Sequence, residues 1–443
     1  MRMIRNKTVI SGKRATCFSF FFLLLLFCQV QAVAGELADR LKQLSAVSDV
    51  KQLETTQFSE KCVLRFSHPI DYAHPEASRF TQRVIVGHAG FDRPTVLVTE
   101  GYGASYGLNK NYTEELCRLL NANVVLVEYR YFLESKPDPC NWDYLTVWNS
   151  LNDLHEVRTA LGAIYPKKWL ATGISKGGQT CMFYRAYFPD DVEVSVPYVA
   201  PLNKSPEDGR HEPFISRQTG TAAERRCVEA FQLDVLKRRD RLKPRFERYC
   251  AEKGYTFNAP LDEIYDYCVL EYAFAFWQWG SPVHKIPSAK ASDEEVFNHF
   301  MRVSSPDYFQ WNTGNLSFFV QAARELGYYG YDVKPFRGYL KIKSAEGYLN
   351  RLMLPAELRN QPYDKSLYKH TVRFLKKNDP KMVFVYGEND PWSATGVHTW
   401  LDCSKKQQLH IFVNPRGAHQ TRIGSLPPTL RDEAEALIKK WME

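Results

Sequence analysis

The stretch WLATGISKGGQTCMFYRAYFP, residues 169–189, combines one serine with closely spaced glycines. Gly173 and Gly177 lie two residues on either side of Ser175, and Gly178 follows. This G-x-S-x-G spacing is typical of a sharp strand-to-helix turn that exposes a nucleophilic hydroxyl group. Because so short a pattern also arises by chance, an ordinary glycine-rich turn with a solvated serine is the alternative.

Two residues far along the chain could complete this chemistry. A serine nucleophile needs a base to take its proton, and the base needs a carboxylate that fixes its tautomer. Asp390 follows the apolar run MVFVYG, and His419 follows the run LHIFVN. Alone, Asp390 could be an ordinary turn residue and His419 a loop histidine. The order Ser, Asp, His, with each residue after an apolar run, predicts a catalytic triad.

The segments around these residues alternate between strand-like and helix-like patterns. Strand-like apolar runs cover residues 95–103, 123–132, 169–175, 192–201, 381–390 and 408–419. Between the second and third runs, apolar residues recur at helical spacing from Val147 to Leu161. The alternation predicts a parallel sheet with crossover helices. Loops after parallel strands meet at one edge of such a sheet, where these proteins bind ligands.

The alternation stops near residue 204 and resumes near residue 376. Residues 205–375 are predicted to be mostly helical. We therefore predict an α/β-hydrolase fold with a mostly parallel sheet, built from residues 35–204 and 376–443, and an inserted helical cap over residues 205–375.

The composition and the first 34 residues restrict the class of protein further. The chain has 443 residues, of which 44% are hydrophobic and 24% charged, as in a globular protein. Five positive charges of the formal +8 lie in residues 1–34, so the remainder is too weakly basic to predict nucleic-acid binding. Residues 1–34 resemble a secretory leader, with cleavage predicted between Ala34 and Gly35. A membrane span and lipidation at Cys28 are the alternatives, although the apolar run 18–28 is about half the roughly 20 residues that a span needs.

Eight cysteines follow this leader, and none belongs to a C-x-x-C pair. An exported chain with an even number of cysteines permits disulfides, but spacing does not reveal their pairing. The sequence predicts no metal and no cofactor. It also predicts no stable membrane anchor after cleavage.

Several segments resemble a known family. GISKGGQT, YGENDPWSATGV and GAHQTR are similar to segments of secreted bacterial tripeptidyl aminopeptidases, a family of serine peptidases, and more distantly to lysosomal prolyl carboxypeptidases and dipeptidyl peptidases. TEGYGASY (99–106) resembles the glycine-rich loop of the first family, and VEYRYFLESKP (127–137) a strand-end pattern of the wider group. The resemblance covers residues 95–205 and 380–425. Lys176 departs from the wider group, which usually carries tyrosine there, so a close copy of that group's S1 pocket is not expected in this chain.

The resemblance implies a peptidase that releases short peptides, expected to be tripeptides, from free amino termini. Ser175 would attack the peptide carbonyl, His419 would transfer the proton, and Asp390 would orient His419. The backbone N–H groups of Lys176 and Tyr102 are predicted to form the oxyanion hole. The expected partners are peptide substrates with a free N-terminus.

Some acidic and aromatic residues could bind that substrate. Glu100 and Glu128 each follow a predicted strand near the serine and could hold the substrate ammonium group. An internal ion pair, for example with Arg130, is the alternative for either acid. Trp392 could contact substrate or simply pack. The cap aromatics could line a pocket for proline, or could pack in the core; they are Phe276, Trp277 and Trp279.

Two other functions fit the same fold. One is a secreted esterase or lipase, which would favour an apolar pocket without acids near the serine. The other is a binding protein on an inactive hydrolase scaffold. Glu100 and Glu128 favour a peptidase over the first, and the complete set of Ser, Asp and His favours an enzyme over the second.

Overall fold

A nine-stranded sheet forms the centre of the computed structural model, which describes residues 35–311 and 313–443. The predicted leader, residues 1–34, lies outside the described residues. The strands are β1 (Val47–Gln52), β2 (Glu60–Pro69), β3 (Arg79–His88), β4 (Thr95–Val98), β5 (Asn123–Val127), β6 (Trp169–Ile174), β7 (Val194–Tyr198), β8 (Met382–Gly387) and β9 (Leu409–Asn414). Their order across the sheet is β1-β2-β3-β5-β4-β6-β7-β8-β9.

The sheet has an antiparallel end and a parallel body. β1, β2, β3 and β5 pair antiparallel, whereas every pair from β5 to β9 across the sheet is parallel. In the parallel body, β4, β5, β7 and β8 are buried along their whole lengths. Such strands read as continuous apolar runs because helices cover both faces of the sheet.

Thirteen α-helices lie in the described part of the chain. They are α1 (Glu36–Lys42), α2 (Glu115–Leu120), α3 (Val147–Gly162), α4 (Lys176–Tyr187), α5 (His211–Arg217), α6 (Ala222–Lys237), α7 (Arg239–Lys253), α8 (Leu261–Gln278), α9 (Asp293–Val303), α10 (Leu316–Gln321), α11 (Tyr348–Met353), α12 (Ser366–Lys377) and α13 (Pro428–Met442). A π-helical turn, Ala322–Leu326, extends α10.

The helices cover the two faces of the sheet through separate apolar clusters. On one face, α1, α3, α4 and α12 pack against side chains such as Val125 and Val127. On the other face, α2 and α13 pack against Val124 and Leu126, because successive side chains of a strand point to opposite sides. Together with the parallel strand pairing, this two-sided cover confirms the predicted α/β-hydrolase fold.

Helices α5 to α12 lie between β7 and β8 in the chain. A third apolar cluster, rich in aromatic side chains, joins α6, α7, α8, α9 and α11. We call α5 to α11 and their connections the cap. The predicted boundary at residue 375 falls inside α12, whose Leu367 and Leu375 pack with the sheet rather than with the cap. The division of the chain at residues 204 and 375 therefore stays a prediction.

Two further features bear on the sequence analysis. All eight cysteines between residues 62 and 403 are free thiols. Among the described helices, none is both long enough and apolar enough to cross a membrane.

Candidate active site

Ser175 lies at a sharp turn between β6 and α4. Its backbone has φ 58° and ψ −119°, a left-handed conformation that is strained for any residue but glycine. The flanking glycines permit this turn, because a Cβ on Gly173 would lie 2.2 Å from the carbonyl oxygen of Gly177. A Cβ on Gly178 would lie 2.5 Å from the carbonyl oxygen of Tyr198. The turn leaves Ser175 partly exposed at the carboxyl end of β6.

Asp390 and His419 meet at the same edge of the sheet, after β8 and β9. Oδ2 of the fully buried Asp390 lies 2.7 Å from Nδ1 of His419. The other oxygen, Oδ1, accepts the backbone N–H of Trp392 at 3.1 Å, which fixes the carboxylate. This pairing holds the His419 ring through Nδ1 and leaves Nε2 for a second partner.

Ser175 and His419 line one cavity of about 770 Å³ between the sheet edge and the cap. The sheet side supplies Glu100, Tyr102, Tyr106, Glu114, Ile174, Ser175, Lys176, Gln179, Trp392, His419, Gln420 and Arg422. The cap side includes Glu271, Ala275, Gln278, Trp279, Arg302, Asp307, Tyr308, Phe318, Tyr328 and Tyr329. A hydrogen bond of 3.0 Å from the backbone N–H of His419 to the carbonyl oxygen of Gln278 joins the two sides.

The two predicted oxyanion donors have different surroundings. Lys176 is the first residue of α4, so its N–H has no acceptor within the helix. The N–H of Tyr102 donates to the Glu100 carboxylate at 3.2 Å, as does that of Gly101 at 2.6 Å. The predicted backbone donor of Tyr102 is therefore already engaged. Burial raises the pKa of the Tyr102 hydroxyl, whereas an interaction with the Ser175 side chain lowers it, and both residues line the same cavity.

The Lys176 side chain fixes the loop opposite the serine. Its Nζ donates to the carbonyl oxygen of Gly101 at 2.6 Å and lies 3.3 Å from the ring centroid of Tyr129. Burial lowers its pKa well below the usual lysine value, while Glu100 and Glu325 act in the opposite direction. A desolvated lysine of this kind ties the loop after β4 to the start of α4.

Glu100 lines the cavity, but its carboxylate already has three donors. Besides the N–H groups of Gly101 and Tyr102, the hydroxyl of Tyr106 donates to it. Glu100 therefore shapes the loop beside the serine, as well as contributing negative charge to the cavity wall.

Glu128 lies outside the cavity, contrary to the prediction that it faces the substrate. It is completely buried and accepts hydrogen bonds from Arg83 (2.9 Å), the N–H of Ala104 (2.9 Å) and Ser135 (2.8 Å). Glu128 therefore forms an internal ion pair, the alternative considered from the sequence, but its partner is Arg83 rather than Arg130. Arg130 pairs instead with Asp153, at 2.7 Å. We therefore leave Glu128 out of the substrate site.

The predicted aromatic contacts divide between the cavity and the core. Trp392 lines the cavity and packs edge-on against Phe274 and Tyr329, with centroids 5.2 and 5.3 Å away. Trp279 is 56% exposed, and its ring lies 6.1 Å from that of His419. Phe276 and Trp277 are buried in the cap cluster instead. Of the three predicted cap aromatics, only Trp279 lines this cavity.

Glu271 of α8 was not singled out from the sequence. It is 5% exposed and lines the cavity from the cap. The hydroxyls of Tyr329 and Tyr331 donate to its Oε2 at 2.9 and 2.7 Å. Burial raises its pKa to about 8. An acid within the aromatic run LEYAFAFW was the signal, because a buried acid in an apolar helix is rare without a specific partner.

With this geometry described, the chain can be compared with known proteins. The sequence model of the family PS-10 peptidase S37 matches residues 30–443. The chain belongs to this family. It is also 30% identical over 422 residues to the prolyl tri/tetrapeptidyl aminopeptidase of Streptomyces mobaraensis, a match that covers 93% of this chain and 86% of that protein. The resemblance seen in the sequence is thereby confirmed.

This S37 member is a serine peptidase, which decides among the functions that the sequence left open in favour of peptide hydrolysis. The other two functions considered from the sequence were an esterase or lipase and a binding protein on an inactive scaffold. The family match does not by itself assign roles to Ser175, Asp390 and His419, so these remain proposals.

Solved structures to which the chain is similar include proline iminopeptidase of Mycobacterium smegmatis and the carboxylesterase EstE1. The first is 12% identical, with a TM-score of 0.39, and the match covers 85% of this chain and 97% of that one. The second is 13% identical, with a TM-score of 0.37, and the match covers 94% and 98%. At these scores the similarity carries no argument about activity.

Proposed function

We propose that this S37 peptidase is an exported exopeptidase that releases short peptides from free amino termini through an acyl-enzyme on Ser175. The observation that carries the proposal is the 2.7 Å contact between Asp390 and His419 at the sheet edge, since His419 lines the same cavity as the partly exposed Ser175. A carboxylate, an imidazole and a hydroxyl in this order are the parts of a serine hydrolase site.

The proposed reaction starts with attack of Ser175 Oγ on the scissile carbonyl. His419 Nε2 takes the hydroxyl proton and gives it to the leaving amine, while Asp390 stabilises the imidazolium. A water molecule activated by His419 then hydrolyses the acyl-enzyme and restores Ser175.

Two groups beside Ser175 are proposed to stabilise the oxyanion. The first is the N–H of Lys176, at the positive end of α4. The second comes from Tyr102. Because its N–H is held by Glu100, the Tyr102 hydroxyl next to Ser175 is our candidate for that donor.

The cap over the cavity and the acids in the cavity wall support the proposed restriction to amino termini. The cap lies over the sheet edge and narrows the approach to Ser175 for a folded substrate. The cavity wall combines three partly or largely buried carboxylates with three basic side chains, and a carboxylate can pair with a cationic terminus; the acids are Glu100, Glu114 and Glu271, and the bases are Lys176, Arg302 and Arg422. The relative's name specifies prolyl tripeptides and tetrapeptides. Trp392 and Trp279 are proposed to contact the residue at the cleavage point, with proline or a small residue there.

Peptide digestion tests this function. Unblocked peptides should release products of three residues, or of four, and acetylation of the amino terminus should lower kcat/KM sharply. Mass spectrometry of the products reads both effects. Equal cleavage of free and acetylated peptides would instead indicate an endopeptidase.

Export is the second part of the proposal. The basic stretch, the apolar run and the small residues of positions 1–34 motivate it. Expression of the full chain should yield extracytoplasmic protein that begins at Gly35 or within one or two residues of it. An intact leader on the exported protein, detected by N-terminal sequencing, would show an anchor rather than a cleaved signal.

A further inference from the structure

We infer that Glu271 binds the ammonium group of the substrate's first residue and that α8 sets the product length. This inference rests on the proposed exopeptidase function and specifies its recognition group. It concerns the cap side of the cavity, opposite the proposed triad.

One face of α8 forms part of the cavity wall. Glu271, Ala275 and Gln278 line the cavity, and their spacing of four and three residues places them on one side of the helix. The last of them, Gln278, accepts the backbone N–H of His419. The face therefore runs from the catalytic histidine to Glu271.

The length of this face matches a short peptide. Gln278 lies seven positions after Glu271 along the helix, a rise of roughly 10 Å at about 1.5 Å per residue. Three residues of extended peptide also span roughly 10 Å, at about 3.3 Å each. A substrate with its amino terminus at Glu271 would therefore present its third peptide carbonyl near Ser175.

Only one oxygen of the Glu271 carboxylate accepts hydrogen bonds from the described residues. Tyr329 and Tyr331 both donate to Oε2 and so fix the carboxylate plane. Among the hydrogen bonds of the described residues, none ends at Oε1. An ammonium group entering from the cavity would find this second oxygen as its acceptor.

The electrostatics of Glu271 favour a cationic ligand. Burial raises its pKa, and only the two tyrosine hydroxyls act against that rise. No cationic side chain of the described residues forms an ion pair with it. A substrate ammonium would stabilise the ionised form of Glu271, and the resulting pair would be a charge-assisted hydrogen bond at a largely buried carboxylate.

The other carboxylates of the cavity fit this role less well. Glu100 already accepts three hydrogen bonds. It also directly precedes Gly101, which Lys176 bonds beside the serine turn. Glu100 is therefore too near Ser175 to bind an amino terminus that lies three residues from the scissile bond. Glu114 accepts a hydrogen bond from the hydroxyl of Tyr112. Burial raises the pKa of Glu114, and the nearby positive charge of Arg422 opposes that rise, so Glu114 already has a cationic neighbour. Asp307 is exposed, so solvent screens its charge.

Kinetics of the mature protein test the inference with the Glu271→Gln variant. Glutamine keeps an oxygen for Tyr329 and Tyr331 but removes the charge. We expect KM for an unblocked peptide to rise roughly 30-fold or more, the loss typical of one partner of a buried charge pair. The preference over the acetylated peptide should disappear, and products should no longer be confined to one length.

Two controls accompany this variant. Asp307→Asn removes the same charge from the exposed part of the cavity and should change KM by less than about threefold, as expected for a solvent-screened charge. Hydrolysis of p-nitrophenyl acetate, which has no amino group, should proceed at the wild-type rate in Glu271→Gln. If that variant loses ester hydrolysis as well, Glu271→Asp replaces it. There the carboxylate is shorter by one carbon, and KM for the unblocked peptide should still rise.

The outcomes separate the inference from the proposed function. If the wild-type enzyme cleaves free and acetylated peptides equally, the exopeptidase function itself fails. If the wild type prefers free termini and Glu271→Gln keeps that preference and product length, the role of Glu271 alone fails. An unchanged KM for the unblocked peptide in Glu271→Asp would also contradict the proposed role of Glu271.

Discussion

The catalytic edge of the sheet and the cap that faces it are built on different principles. At the edge, turns after β6, β8 and β9 place Ser175, Asp390 and His419, and each position is fixed by backbone hydrogen bonds or close-packed glycines. In the cap, aromatic side chains pack around the buried acid Glu271, whose pKa burial raises to about 8. In the proposed mechanism, the edge supplies the reactive groups, and the cap supplies the acid that binds the substrate's amino terminus at a fixed distance from them. On this account, changes at the edge lower kcat, and changes in the cap raise KM.

The largest expected effect is at the edge. Ser175→Ala, Asp390→Asn or His419→Ala should each lower kcat about 10⁴-fold or more, because members of a triad act as one unit. The value of kcat should fall equally for peptide and ester substrates, because these substitutions affect the chemical step rather than substrate recognition. Turnover assays with circular dichroism as the folding control measure this. A folded variant with near-normal activity would remove its residue from the triad.

An intermediate effect is expected at Tyr102, beside the serine. Tyr102→Phe should lower kcat about 10²-fold, the cost of one oxyanion donor, and leave KM nearly unchanged. The ring contacts with Phe132 and Phe318 do not need the hydroxyl, so stability should hold. Steady-state kinetics separate the two constants. A rise in KM at constant kcat would assign Tyr102 to substrate binding instead.

The smallest expected effect is on stability, and it belongs to the cap. Because the folded-state pKa of Glu271 is raised to about 8 from an ordinary value of 4.5, its contribution to stability is full below pH 4.5. That contribution falls as the pH rises through 8, since the unfolded chain ionises first. Glu271→Gln lacks this loss, so its Tm relative to wild type should increase by a few degrees between about pH 5 and about pH 8.5.

Thermal denaturation across this pH range measures the difference. Asp307→Asn is the control, because an exposed carboxylate should show no such trend. A Tm difference for Glu271→Gln that stays constant with pH would show that Glu271 does not titrate as a desolvated acid, and the contrast between edge and cap would then lose its electrostatic basis.

The same contrast explains what the sequence could predict about the fold. The parallel strands β4 to β9 were predicted, because buried strands read as apolar runs. Strands β1 to β3 were not, because they form the antiparallel end, where polar residues such as Asp49, Lys51 and Arg65 interrupt the apolar pattern. Their pairing is specified by neighbours rather than by local composition.

The residues of the candidate site also differ in how far the sequence could predict them. The proposed triad could be named from residue order and strand ends, since each position depends on a short local turn. Glu128 could not be separated from Glu100, because its partner Arg83 lies 45 residues away in the chain. Glu271 was missed for a similar reason. Its tyrosine donors are 58 and 60 residues away, and only the folded cap brings them to it.

A crystal structure of the Ser175→Ala variant with an unblocked tetrapeptide tests the central claim most directly, namely that one cavity holds the amino terminus at Glu271 and the scissile bond at residue 175. The account predicts the ammonium nitrogen about 3 Å from Oε1 of Glu271. It also predicts the third peptide carbonyl beside the substituted position 175, between His419 and the N–H of Lys176. An amino terminus bound at Glu100, or pointing to solvent while the scissile bond is in place, would contradict it.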